Sequence, residues 1–260
     1  MLKNFYLHCL MLVTGLCSFH SLASHKFENI SNVSHFQIEV VTELLEPYQI
    51  ENPDGTLSGF STEVVHALFK KAQSRANIRV LPWARAYEIA RSTPNIMIYS
   101  IAHTEVRDPL FHWVGSLKKE KLYFWGLKSK FPDNIDDIEK LKAEKIAASR
   151  FSNVAQYLQA NNFKNIYELI KEDQNMLMLY RGRVDLIVAT ELTLKTRAQK
   201  LGLDFNKMKK IKEVTELNND LSIAFSKETK PNVVSHFRQA FDAIKRDGVI
   251  EQIKNKWNIQ

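Results

Sequence analysis

The sequence predicts an α/β fold arranged as two lobes. Two observations carry this: short strand-like segments alternate with amphipathic helices, and the alternation occurs twice along the chain. In the first set, Phe36-Gln37-Ile38-Glu39-Val40-Val41 partly alternates and closes on an apolar pair, as a strand does. Asn52-Pro53-Asp54-Gly55 is a turn. Ser61 is placed to cap a helix with Val64, Val65, Leu68 and Ala72 on one face, and Glu63 in its first turn suits the helix dipole. Ile78 to Leu81 reads as a strand stopped by Pro82, Ala84 to Arg91 as a helix, and Ile96 to Tyr99 as a third strand. Strand–helix–strand units at this spacing make a parallel sheet.

A second set follows. Phe111 to Trp113 and Leu122 to Leu127 are aromatic and extended, and Asn134 to Leu141 is a short amphipathic helix. Lys145 to Ala148 and Leu186 to Ala189 are strands, while Asn153–Ala160, Glu172–Tyr180 and Leu192–Leu201 are helices. Leu221 to Phe225 is one more strand. The last long helix runs from Asn232 to Arg246, where Val233, Val234, Phe237, Phe241 and Ile244 form a buried stripe. Gly248 stops it, and Ile250, Ile253 and Trp257 mark a final amphipathic turn or two. Two such sets predict two lobes with a cleft between them. Open parallel sheets place ligands beyond the carboxyl ends of their strands, so the residues after Val41, Leu81, Tyr99, Ala148 and Ala189 are site candidates.

Composition narrows the function. The chain has 260 residues, a formal charge of +7, and 8 glycines with neither a dinucleotide-binding spacing nor a Gly-Lys-Ser/Thr phosphate loop. Both cysteines lie in the first 17 residues. That segment has a basic start, an apolar run from Phe5 to Phe19, and the small-x-small exit Ser21-Leu22-Ala23, which reads as a signal peptide cleaved after Ala23. The remaining 237 residues carry no cysteine and a charge of +6, as expected of a soluble periplasmic protein held by its core. No cysteine nucleophile, His-x-x-x-His pair or Gly-x-Ser-x-Gly elbow remains. The lysines are scattered and lack interleaved aromatics, which argues against nucleic acid. Neither metal nor cofactor is expected.

The strand ends carry an ordered set of motifs. They are Pro47-Tyr48, Asp54-Gly55 with Gly59-Phe60, Pro82-Trp83-Ala84-Arg85, Thr104-Glu105-Val106-Arg107, and Gly182-Arg183-Val184-Asp185. In this order and spacing the chain resembles family 3 of the periplasmic solute-binding proteins, the two-lobed "Venus flytrap" receptors of polar amino-acid ABC transporters. The resemblance covers residues 36–257. It implies a type II periplasmic-binding-protein-like fold, each lobe a mixed sheet flanked by helices, with residues 24–125 and 220–260 in lobe 1 and 126–219 in lobe 2. It implies a monomer that captures an amino acid or related carboxylate and delivers it to a membrane permease. Alternatives on the same fold are a prephenate- or arogenate-type (carboxycyclohexadienyl) dehydratase, with Glu191, Glu43 or His103 as general acid, and a ligand-sensing partner of a membrane receptor.

By that resemblance Arg107 clamps a ligand carboxylate, for which a guanidinium fork is suited. Ser100 lines the same pocket, and Ser152 with Asn153 supplies a hydroxyl at a helix start where free N–H groups attract anions. Tyr48 and Trp83 are aromatic walls, and Arg85 is a second cation for the cleft. Two positions depart from the family pattern. Ala102 stands where a Ser or Thr is usual, and Thr190, beside Glu191, stands where an aspartate usually holds the ligand's ammonium. A hydroxyl forms no ion pair, so a small carboxylate or an atypical amino-acid-like solute is expected.

Overall fold

The computed structural model describes residues 37–133, 135 and 137–259. The signal-peptide segment, the cleavage site after Ala23, and Phe36 lie outside the described residues. The chain opens with β1 (Gln37–Thr42), the hairpin β2 (Ile50–Glu51) and β3 (Leu57–Ser58), α1 (Phe60–Lys71), β4 (Arg75–Val80), α2 (Trp83–Ser92), β5 (Ile96–Ala102) and β6 (Phe111–Lys119). It continues with β7 (Tyr123–Leu127), β8 (Lys145–Ser149), α3 (Asn153–Ala160), β9 (Asn165–Leu169), α4 (Glu172–Tyr180), β10 (Leu186–Ala189), α5 (Glu191–Lys200) and β11 (Met208–Glu213). It closes with β12 (Asp220–Ser226), α6 (Pro231–Arg246) and α7 (Val249–Lys256).

Two five-stranded mixed sheets result, ordered β4-β1-β5-β12-β6 and β11-β7-β10-β8-β9. In the first, β4, β1 and β5 run parallel and β12 runs antiparallel between β5 and β6. In the second, β10, β8 and β9 are parallel, and β7 is antiparallel to β10 and β11. Each sheet is buried on both faces. Val40 faces the core under α1 and α6 while Val41 faces the one under α2. Ile146 and Ala147 divide the same way between the two cores of the second lobe. That two-sided burial explains why the parallel strands read as apolar runs.

The chain crosses between the sheets twice, at 120–122 and at 214–219. The two crossings are tied together: Glu120 N–H donates to the Asn219 carbonyl at 3.0 Å and Val214 N–H to that of Leu122 at 2.8 Å. The expected boundary after residue 125 is therefore placed too late, since Tyr123, Phe124 and Trp125 belong to the second sheet. The expected helix over Asn134–Leu141 is only a 3₁₀ turn, Ile138–Leu141; Asn134 and Asp136 are outside the described residues.

Ser61 does not cap α1. The helix begins two residues earlier than a Ser61 cap would have it, with Gly59 as its N-cap, and the Tyr48 carbonyl accepts from the N–H groups of Ser61 and Thr62. That backbone cap requires close approach. Gly59 has φ +107°, and a Cβ there would sit 2.4 Å from the Tyr48 carbonyl oxygen. Gly55, at φ +79°, has nothing near it. Gly59→Ala is therefore expected to lose more stability in urea unfolding than Gly55→Ala, which carries only the backbone strain of about 1 kcal/mol. Equal losses would contradict the close approach.

One irregularity positions the site. Ser100, in β5, has φ +57°, and the β5–β12 register slips there. Along β5, Ile96 and Ile98 face one core, Met97 and Tyr99 the other. Strict alternation would put Ile101 with Tyr99, yet it lies with Ile98. The bulge resets the period and leaves Ser100 at a strained backbone position beside the cleft.

Candidate functional site

A cavity of about 130 Å³ lies between the two sheets, walled by both lobes and by the crossing segments. Tyr48, Trp83, Ser100, Ala102, Arg107, Ser152, Asn153 and Thr190 all line it. They arrive from the carboxyl ends of parallel strands and the helix starts that follow them.

Arg107 dominates the first lobe's wall. It is 1% exposed. Its two terminal nitrogens donate to the Ala102 carbonyl at 3.2 Å and, across the cleft, to the Phe151 carbonyl at 3.1 Å. The guanidinium carbon lies 5.3 Å from the Trp83 ring centroid and 5.0 Å from that of Tyr87. Those rings hold a cation in an apolar setting. Burial pulls the group down to about 10, so it stays charged at neutral pH. Among the described residues no carboxylate lies within ion-pair distance of it, and its Nε–H has no acceptor. The Ser100 hydroxyl and the Trp83 Nε1–H, both lining the cavity, are likewise without partners.

The second lobe aims two helix starts at the same space. Ser152 caps α3, accepting from Ala155 N–H at 3.0 Å, and Thr190 caps α5, accepting from Thr193 N–H at 3.2 Å. Capping is thus one role of each hydroxyl, and both remain on the cavity wall. Asn153 opens α3.

Arg85 and Glu191 are not brought to the cavity. On α2, Trp83, Ala86 and Tyr87 face inward, and Arg85, two residues from Trp83, falls on the opposite, exposed side. Glu191 is the first residue of α5 and turns outward to Lys195 and Lys210, both at 2.7 Å, which lower its carboxyl below the usual range. His103 lies in a separate outer groove, hydrogen-bonded to Asp108 at 2.7 Å and stacked on Trp113.

The structure adds an acidic wall, of which the sequence singled out only Glu43, as a general-acid candidate of the dehydratase alternative. Glu43 follows β1, Glu120 sits in the first crossing, and Glu172 opens α4; all three line the cavity with Asn175, Arg197 and Asn219. Glu120 accepts from the Tyr48 hydroxyl at 2.7 Å and pairs with Lys118 at 3.4 Å, yet burial raises its carboxyl above the usual range. Glu172 is held by the Ser149 hydroxyl, Asn175 and Arg197. Glu43 is half-buried. Burial first, and then Glu172, push its carboxyl up to about 8, against the pull of Arg197 and Arg107. Beyond the cavity, Lys200 of the second lobe pairs with Glu46 of the first at 3.0 Å.

No protein-family model and no curated protein sequence matches the chain. Solved structures do. An ancestral arginine-binding protein bound to arginine superposes with a TM-score of 0.73 at 19% identity, over 85% of this chain and 97% of that one. The chain has the two-lobed periplasmic-binding-protein fold. A histidine kinase sensor domain with similarity to periplasmic binding proteins gives a TM-score of 0.76 at 15% identity, over 86% of this chain and 96% of that one. A periplasmic His/Glu/Gln/Arg/opine family-binding protein from Silicibacter pomeroyi, in complex with lysine, gives 0.70 at 16% identity, over 86% and 98%. The structural neighbours thus include periplasmic amino-acid-binding proteins, as the sequence motifs led one to expect. In this fold a cavity between the lobes is the place for a ligand held by both.

Proposed function

We propose that the chain is an extracytoplasmic solute-binding protein that closes two lobes over a small carboxylate-bearing solute, an amino acid or a related acid. One observation carries the reading. Arg107 is a charged guanidinium buried in the wall of an interlobe cavity, with its Nε–H free and no carboxylate paired to it. A buried charge without a counter-ion is destabilising by several kcal/mol. An anion entering the cavity would relieve that, with the Ser100 hydroxyl and Trp83 Nε1–H as further donors and the α3 and α5 starts opposite. Ligand shifts the population toward the closed form only through contacts with both lobes, and Arg107 already reaches Phe151 across the cleft. Export through the signal sequence would place the protein in the periplasm as a monomer serving a membrane permease.

The sensor-domain neighbour favours a second reading, a receptor module that reports the same bound solute to a membrane partner. Both readings share the capture step. A thermal-shift screen of L-amino acids and small carboxylic acids tests it. Ligand at about a hundred times its Kd adds about 2.7 kcal/mol of stability, which raises Tm by about 5–10 °C in a protein of this size. At least one such compound is expected to do so. A flat screen across all of them would overturn the reading.

A further inference from the structure

We propose that His103, Asp108 and Trp113 are positioning residues for Arg107, forming a brace outside the cavity that holds the arginine-bearing turn in place. This rests on reading Arg107 as the group that takes the ligand's carboxylate. The need for a brace comes from where Arg107 sits. It lies on the turn that leaves β5, just before a 3₁₀ turn at Asp108–Leu110. His103 and Thr104 are half-buried, and Glu105, Val106, Asp108 and Pro109 are exposed; among residues 103–109 Arg107 alone is buried. A segment with so few buried apolar contacts opens at little cost. A ligand-holding charge on such a turn keeps its geometry only where neighbouring groups lock it.

Main-chain bonds close the turn only on itself: the N–H groups of Arg107 and Asp108 donate to the Thr104 carbonyl at 3.0 and 2.9 Å. The brace ties it to the first sheet. His103 N–H donates to the Asp220 carbonyl at 2.9 Å, which anchors the start of the turn to β12. His103 Nε2 and Asp108 Oδ1 are 2.7 Å apart, so the side chains at the two ends of the turn are joined. A carboxylate only accepts, so the imidazole donates. That imidazole lies flat on Trp113, with centroids 3.8 Å apart and planes at 14°. Trp113 belongs to β6, and its Nε1–H donates to the Asp108 carbonyl at 3.4 Å. Trp113 is held in turn by α6, where Arg238 Nε–H donates to its carbonyl at 2.7 Å.

Both ends of the turn are thus referred to β6 and β12, on either side of Arg107. None of the three brace residues lines the cavity. They reach the solute only through Arg107, whose guanidinium is already placed when a ligand arrives. Binding then costs less ordering of the turn.

Two readouts on the full purified protein test this. The first needs no ligand. It is the Arg107 Nε–H signal in nitrogen-edited proton NMR spectra, identified by its loss in Arg107→Lys. Asp108→Ala removes the acceptor, and His103→Phe keeps a ring on Trp113 but has no donor. Both should shift and broaden the signal, while Asp108→Asn, which keeps an acceptor oxygen, should restore it. Each variant should lower Tm by less than about 3 °C, as surface changes do. The second readout is calorimetry with whichever of the twenty L-amino acids, acetate, succinate and citrate binds the wild type most tightly. Asp108→Ala and His103→Phe should each weaken binding about five- to tenfold, the worth of about one hydrogen bond. In an Arg107→Ala background, Asp108→Ala should weaken it less than about twofold further, because the two changes act through one group. An Arg107 signal unmoved by both variants, or a loss of affinity that Asp108→Ala repeats in full without Arg107, overturns the brace while solute binding stands. Binding of none of the probes overturns the solute-binding reading, and the Arg107 signal alone then upholds or overturns the brace.

Discussion

Arg107→Ala is expected to weaken solute binding by about 10- to 100-fold, because hydrogen bonds to a charged group are worth about 1.5–3 kcal/mol. The variant removes the guanidinium that faces the ligand from the first lobe's wall and also the direct tie to the Phe151 carbonyl across the cleft. Affinity should fall both through lost ligand contacts and through a less favoured closed form. The ligand-free protein behaves differently. It loses two hydrogen bonds from a charged group to carbonyls, about 1.5–3 kcal/mol each, but is freed of a buried guanidinium with no counter-ion, a desolvation burden of several kcal/mol. The two largely offset, so its stability without ligand should change much less than its affinity. Arg107→Lys should bind nearly as poorly as the alanine variant, since an ammonium lacks the planar fork. Calorimetry and melting of the same samples read both effects. An Arg107→Ala protein that melts far lower but binds as before would make the residue a structural one.

Phe237→Ala is expected to show the reverse pattern. Phe237 is fully buried where α6 crosses the first sheet, edge-on to Phe69 with centroids 4.9 Å apart and to Phe225 at 5.2 Å. Truncating a core phenylalanine costs about 3–5 kcal/mol, against a total of about 5–15 kcal/mol for a typical domain. Urea unfolding should show a midpoint shift of that size, while the fraction still folded binds solute normally, since Phe237 does not line the cavity. A loss below about 1 kcal/mol would mean that α6 is not the clamp on this sheet.

The regular elements were legible because their signals are local. Asn153–Ala160, Glu172–Tyr180 and Leu186–Ala189 are bounded as their apolar spacing indicates. The two edge strands of the second sheet were not. β9 and β11 carry charged and polar residues because one side of an edge strand meets water, so Lys209, Lys210 and Lys212 read as scattered surface charge. The strand-end rule brought Tyr48, Trp83, Ser100, Ala102, Arg107, Ser152, Asn153 and Thr190 to one cavity. It does not resolve which side of a helix a residue takes, and Arg85 was lost to that. Glu120 and Asn219 were missed because a crossing segment has no periodicity of its own. Glu172, Asn175 and Arg197 reach the cavity from α4 and α5 only through the meeting of the two lobes, which no local pattern records.

The central claim is that the interlobe cavity holds a carboxylate on Arg107. A crystal structure of the full chain with the compound that most raises its Tm tests this most directly. The predicted result is a carboxylate accepting from Arg107 Nε and the Ser100 hydroxyl. A compound bound outside the cavity, or bound within it with no acidic group on Arg107, would contradict the account.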